Sequence, residues 1–236
     1  MVADYQGGGN QGGVADGALY DCSCVAVFPF DKAIRSHRLN TVQVWIEYGS
    51  TYSYLSVARI GKLAAGCGVA LDWQPFYLAP IFIEQGMNLG PFLPYPNKIA
   101  YMWRDLERRA QVHGVPYRKP SAYPVNSMLT ARVAMVAARE GWCQAFTERV
   151  FALHWTEDRP IGTEDNLHTA LSALGKDPTA LTALALTAGN KEALKAQTDR
   201  ARELKIFGAP SFVVGGELFW GDDRLDEAIA WASRSA

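Results

Sequence analysis

Residues Trp45-Ile-Glu-Tyr-Gly-Ser-Thr-Tyr-Ser-Tyr-Leu-Ser56 run from a β-branched, aromatic segment straight into one of helical spacing. Taken with its flanks, VQVWIEY (residues 42–48) reads as a strand, SYLSVARIGKLAAGCG (53–68) as a helix and VALDWQPFYL (69–78) as a second strand. A βαβ unit therefore opens the fold. At its first junction Ser50 and Ser53 stand three apart. That is the spacing of a C-x-x-C redox pair, here with hydroxyls in place of thiols.

The chain downstream changes character. Amphipathic patterns at 99–113, 127–140, 143–155, 164–174 and 190–205 are each bounded by Pro or Gly signals and predict helices. The end, SFVVGGELFWGDDRLDEAIAWASR (211–234), predicts two short strands around Gly215-Gly216 and a last helix with Asp222 or Asp223 as N-cap. This order is that of an α/β, thioredoxin-like fold split by a helical insertion. The thioredoxin-like part is expected at 41–80 and 207–236 and the helical domain at 81–206. Residues 1–40 stand apart: YQGGGNQGGVADGA (5–18) is Gly-rich, offers little to bury and is expected to be disordered or weakly ordered. The patch Val25-Ala-Val-Phe-Pro-Phe30 is the one apolar segment there.

Bulk properties exclude several function classes. With 236 residues, 49% of them hydrophobic, the chain can bury a substantial core. Its net charge is -1 and its Lys and Arg residues are dispersed, so no footprint for nucleic acid or an anionic membrane exists. No apolar run reaches the length of a membrane span, and no basic segment leads into an apolar core at the N-terminus. Cys22, Cys24, Cys67 and Cys143 have no C-x-x-C spacing and the four histidines are scattered, which supports neither a disulfide framework nor a metal site. A reducing cytoplasm and small-molecule or protein partners are expected.

Four blocks carry a family resemblance. EYGSTYSYLS (47–56) resembles the D-F-x-S-P-[FY]-S-Y-L-[AS] opening of 2-hydroxychromene-2-carboxylate isomerases, which are related to kappa-class glutathione transferases and share a DsbA-like fold. NKIAYMWRDLERRAQVHGVP (97–116), YPVNSMLTAR (123–132) and FGAPSFVVGGELFWGDDRL (207–225) follow in the family's order. The chain departs from the pattern with Thr51 in place of Pro and Glu47 in place of Asp. The resemblance implies a homodimeric isomerase that uses glutathione as cofactor and takes a small aromatic substrate. A kappa-type transferase or peroxidase, and a non-catalytic thioredoxin-like binding module, are the alternatives.

The resemblance also assigns residues, each with a plainer alternative. Ser50, at a helix start whose free N–H groups favour an anion, would hold the glutathione thiolate; as an ordinary N-cap it would do no chemistry. Ser53 reads as structural. Pro210 would be cis with the Ala209 backbone pairing to the cysteinyl segment of glutathione, or else a trans strand-entry proline. Gly221, Asp222, Asp223 and Arg224 would take the γ-glutamyl end, or the Asp pair merely caps a helix. Asn88 would bind glutathione, and Lys98 would reach a carboxylate of glutathione or substrate or else lie on solvated surface. Tyr123 and Asn126 would border the substrate pocket, with Asn126 also a natural cap. Trp220 reads as a cleft wall.

Overall fold

The computed structural model describes residues 40–88 and 90–234. The expected N-terminal extension, including its Val25–Phe30 patch, lies outside the described residues except for Asn40. The chain opens with β1 (Thr41–Ile46), α1 (Thr51–Gly66) and β2 (Ala70–Pro75). Among the described residues seven helices follow: α2 (Ala79–Glu84), α3 (Pro96–His113), α4 (Met128–Arg139), α5 (Cys143–Glu157), α6 (Glu164–Ala173), α7 (Pro178–Ala185) and α8 (Ala188–Glu203). The hairpin β3 (Ser211–Val214) and β4 (Glu217–Trp220) and then α9 (Leu225–Ser233) complete it. The short α2 and α7 are additions to the helices expected from periodicity. Among the described residues no helix is long and apolar enough to cross a membrane.

The four strands form one sheet in the order β2-β1-β3-β4. β1 and β2 are parallel, with Thr41 opposite Ala70 and Ile46 opposite Pro75, whereas β1–β3 and β3–β4 are antiparallel. Alternation along the strands loads both faces. Val42, Val44, Ile46, Phe212 and Val214 join the larger core with Leu55 and Ile60 of α1 and Ile229 of α9. Trp45 and Val213 point the other way, into a smaller cluster with Phe76, Ile81 of α2 and Ala201 of α8. Because both faces are covered, β1 is apolar almost throughout, as a central strand between helical layers must be.

The segment after β4 is anchored by charge. Asp222 is 2% exposed, and both of its carboxylate oxygens are engaged. Oδ1 accepts from Ser56 Oγ at 3.0 Å and Arg59 Nη2 at 3.1 Å, and Oδ2 accepts from Arg109 Nε at 2.8 Å and Nη2 at 2.5 Å. One carboxylate thereby ties the β4–α9 connection to α1 and α3. The expected capping role is corrected: Asp222–Arg224 form a single 3-10 turn, and α9 starts at Leu225 without a side-chain cap. A carboxylate withdrawn into the core to neutralise two guanidinium groups has no oxygen left for backbone amides.

Removing the acid leaves Arg59, whose side chain is 9% exposed, without its main counter-charge. Asp222→Ala is expected to lower unfolding free energy by roughly 3–5 kcal/mol in urea titrations. Arg109→Met should cost less, because Arg59 still faces the carboxylate. Wild-type stability in Asp222→Ala would show that the cluster is not an anchor.

Candidate active site at the first helix terminus

Ser50 is the N-cap of α1, with extended backbone angles (φ -79°, ψ 124°). Its Oγ accepts from the Ser53 N–H at 3.3 Å and donates to the Ala209 carbonyl at 2.8 Å. The Ala209–Pro210 peptide is cis. The N-cap and the site residue are thus one hydroxyl, with its lone pairs toward the helix and its proton toward the segment entering β3. Ser53 is fully buried and its Oγ has no hydrogen-bond partner, so it takes part through its backbone N–H alone.

Two further segments close on the same terminus. Thr51, standing where the resembled pattern has Pro, is buried and donates from Oγ1 to Met102 Sδ of α3 at 3.5 Å. The Tyr123 hydroxyl reaches that sulfur at 3.9 Å. The Tyr123–Pro124 peptide is also cis, which the sequence did not suggest. Asn126 uses Oδ1 to accept from the Met128 N–H at 3.2 Å at the start of α4. Its own carbonyl lies where a Cβ on Gly162 (φ +84°) would be, so only glycine fits there.

On the other side, the Gly221 N–H donates to the Pro210 carbonyl at 2.9 Å, joining the end of β4 to the cis-proline. Trp220 and Phe207 are 51% and 43% exposed and meet edge to face at 4.8 Å. A Cβ on Gly208 would collide with Nε1 of Trp220, so glycine lets the indole lie over the loop that carries Ala209. Asp223 and Arg224 are exposed and lie 3.6 Å apart.

Ser50, Tyr123, Ala209, Pro210 and Gly221 are therefore brought together by direct contacts or through Met102. Asp222 is not available: buried beneath two arginines, it is structural rather than ligand-binding, because no face of its carboxylate is open. Among the described residues no hydrogen bond or ion pair joins Asn88 or Lys98 to this group. Asn88 is exposed in the turn after α2. Lys98 is exposed on the first turn of α3, its Nζ 5.4 Å from the Phe92 ring centroid and 5.9 Å from that of Tyr95.

Glu47, noted in the sequence only as a departure from the family pattern, stands at the centre of a further group of residues. Glu47 is 7% exposed and takes the Ser127 hydroxyl on Oε1, while its main-chain carbonyl accepts from the Ser50 N–H at 3.2 Å. Burial raises its pKa from 4.5 to about 7, against the lowering effect of the Ser127 hydrogen bond. Tyr77, just beyond β2, is raised by burial and by the charge of Glu47 and lowered by Arg132 of α4. The Nε of Arg132 is itself buried without a hydrogen-bond partner. The signals available were an acid placed directly after a buried strand and the acidic position of the family pattern.

The fold and this terminus define a class: a thioredoxin-like domain whose helix-start thiols have become hydroxyls. Residues 41–229 match the DSBA-like thioredoxin domain. The chain is 31% identical over 185 residues to the 2-hydroxychromene-2-carboxylate isomerase of Pseudomonas putida, covering 78% of this chain and 90% of that one. A solved 2-hydroxychromene-2-carboxylate isomerase structure superimposes with a TM-score of 0.71 at 31% identity, over 78% of this chain and 90% of that one. Glutathione s-transferase kappa 2 of Caenorhabditis elegans is 26% identical, over 79% of this chain and 88% of its own length. The chain belongs to the DSBA-like thioredoxin family and, within it, to the 2-hydroxychromene-2-carboxylate isomerase family.

Glu47 makes stability depend on pH with a definite sign. Its folded pKa of about 7 lies above the unfolded value, so between about pH 4.5 and 7 the native state keeps a proton that the unfolded chain has lost. Stability therefore falls as pH rises through that window, by roughly 3 kcal/mol in all, and levels off above it. Glu47→Gln should match wild type near pH 5 and exceed it near pH 8 in urea titrations. Parallel profiles for the two proteins would place Glu47 among ordinary carboxylates.

Proposed function

We propose that the chain is a glutathione-dependent isomerase of 2-hydroxychromene-2-carboxylate or a related aromatic, ring-opened conjugated acid. The observation that supports this most directly is the Ser50 hydroxyl, which sits at the N-terminus of α1, 2.8 Å from the carbonyl that precedes a cis-proline. With serine at this point the sulfur has to arrive on a ligand, and the names of the curated relatives supply the substrate class. When bound, glutathione supplies a thiolate that adds reversibly to a conjugated acid and leaves again, permitting rotation about the bond that addition has made single.

The residues present fit that group. Free N–H groups in the first turn of α1 and the positive end of its dipole favour an anion beside Ser50. A strand-like ligand donating its own N–H to the Ala209 carbonyl would displace the Ser50 proton from it. The hydroxyl then turns toward the sulfur and lowers a thiol pKa of ordinarily about 8.5. Asp223 and Arg224, exposed beside Gly221, offer opposite charges to the γ-glutamyl ammonium and carboxylate. Phe207 and Trp220 offer an aromatic wall to a flat substrate, and the Tyr123 hydroxyl and the Asn126 amide border it. For a substrate carboxylate the candidate cations are Lys98 on α3 and Arg132 on α4, whose Nε has no hydrogen-bond partner. The likeness to a kappa glutathione transferase favours a second use of the same cradle, conjugation, which a panel of electrophiles separates from isomerisation.

The Ser50 hydroxyl should matter more to chemistry than to binding. One hydrogen bond to a charged acceptor contributes about 1.5–3 kcal/mol, so Ser50→Ala is expected to lose roughly tenfold to a hundredfold in rate at neutral pH. Its glutathione affinity should change far less, while the ultraviolet absorbance of the bound thiolate should titrate at higher pH. Ser53→Ala, which removes a hydroxyl that makes no hydrogen bond, should alter neither. If both variants match wild type, Ser50 is a helix cap and nothing more.

A further inference from the structure

The ion cluster beneath the β4–α9 connection has one more member. His113 is the last residue of α3, one turn beyond Arg109, and is half-buried. Arg59 Nη1 stands 3.4 Å from its Nδ1 and 3.1 Å from Asp226 Oδ2 of α9, while Nη2 holds Asp222 at 3.1 Å. A guanidinium offers only N–H donors, so Nδ1 is the acceptor in that contact and the ring proton lies on Nε2. His113 therefore belongs to the anchor only while its ring is neutral. The charged groups that face it are Arg59 from α1, Arg109 from its own helix, Asp222 from the 3-10 turn and Asp226 from α9. Two guanidinium groups are thus met by two carboxylates, and a neutral ring leaves that balance intact. Burial and then Arg59 hold the pKa of His113 below the ordinary 6.5, with Arg109 acting the same way and the two aspartates opposing. Histidine is the one side-chain type among these that ordinarily changes charge between about pH 5 and 8.

We propose that His113 is an acid-sensitive catch on the Asp222 anchor: protonation of its ring breaks the contact with Arg59, sets a third cation beside the two guanidinium groups, and loosens the β4–α9 connection from α1 and α3. The proton comes from solvent. An N–H bond forms at Nδ1, the hydrogen bond from Arg59 is lost, and no electrons move. The imidazolium then competes with Arg59 and Arg109 for Asp222 and Asp226 and repels both of them. Gly221 is the residue before Asp222, and its N–H bonds to the Pro210 carbonyl at 2.9 Å, so the loosening passes to the cis-proline loop whose Ala209 carbonyl meets Ser50. Asp223 and Arg224 ride on the same turn. Because the folded ring takes its proton less readily than the unfolded one, the contribution of His113 is complete above about pH 6.5 and is lost as pH falls through the folded value. Glu47 shifts overall stability the opposite way over much of that range, so the catch is felt at the connection and is read there.

The test is made by NMR on the full chain labelled with nitrogen-15. Ring nitrogen shifts of His113 report where its proton sits, and amide hydrogen exchange, corrected for its intrinsic pH dependence, reports how firmly the connection is held. Near pH 8 the ring should show an unprotonated Nδ1. Between that pH and about pH 5, protection of the Gly221 amide relative to Val44 in β1 should fall by roughly threefold to tenfold, a tenfold change corresponding to one unit of pKa difference. Its midpoint should coincide with that of the His113 ring. His113→Gln, neutral throughout and able to accept from Arg59 through its side-chain carbonyl, should remove the acid loss. His113→Lys, which carries a fixed charge, should show the low protection already near pH 8. The wild-type titration decides the matter even where a variant fails to fold: Gly221 protection that stays level while the His113 ring titrates, or a ring that holds its proton on Nδ1 near pH 8, overturns the catch. An acid loss that persists unchanged in His113→Gln overturns it as well.

Discussion

The carboxylate of Asp222 holds the architecture of the site in place. Through Ser56 and Arg59 it grips α1, and through Arg109 it grips α3. The residue before it, Gly221, bonds to the Pro210 carbonyl, and the residue before Pro210 receives the Ser50 proton. Loosening the ion cluster would release the end of β4, then the cis-proline loop, then the partner of Ser50. A buried charge cluster is a poor source of net stability, because desolvation consumes most of its Coulombic gain. What it supplies here is registry: a loop, a hairpin end and two helices meet with one geometry.

Within that frame Ser50 does two jobs that are usually separate. Its lone pair caps α1 by accepting from Ser53, and its proton is presented outward, at present to Ala209. A cysteine thiolate at the same point would accept the same amide and carry its own charge, ready for redox exchange. The hydroxyl holds the helix but stays neutral, so the terminus keeps its attraction for an anion that comes from outside. Ser53 marks the difference, since its hydroxyl is sealed in the core without a partner.

Local chemistry was legible in the sequence and distant pairing was not. The βαβ opening, the Gly215-Gly216 hairpin and the longer helices follow from periodicity and punctuation that sit in the elements themselves. α2 escaped because six residues, Ala-Pro-Ile-Phe-Ile-Glu, are too few to show a period, and what holds them is Ile81 packing under Trp45 and Phe76. α7 escaped although Asp177-Pro178 is a good helix start, because the Ala-Leu-Thr sequence after it has little polar contrast. Asp222 read as a cap because capping is what an Asp pair before an apolar run commonly does. Its actual partners Arg59 and Arg109 stand 163 and 113 residues away. Ser50 and its neighbours around Pro210 were reachable through the family pattern. Ser127, 80 residues from Glu47, and Arg132 had no signal of their own.

Glu47 and Asp222 are a natural comparison, being two carboxyls buried in one small domain. Asp222 lies against two guanidinium groups, so its charge is compensated. Glu47 has the Ser127 hydroxyl, which stabilises an anion without cancelling its charge, and burial raises its pKa to about 7. If only packing were required at position 47, a neutral side chain would fill the space without the penalty of a buried ionisable group. An uncompensated carboxyl three residues before the N-cap of α1 therefore leaves the stability of that junction dependent on pH. The compensated acid fixes the connections between elements, and the uncompensated one sets how the fold responds to pH.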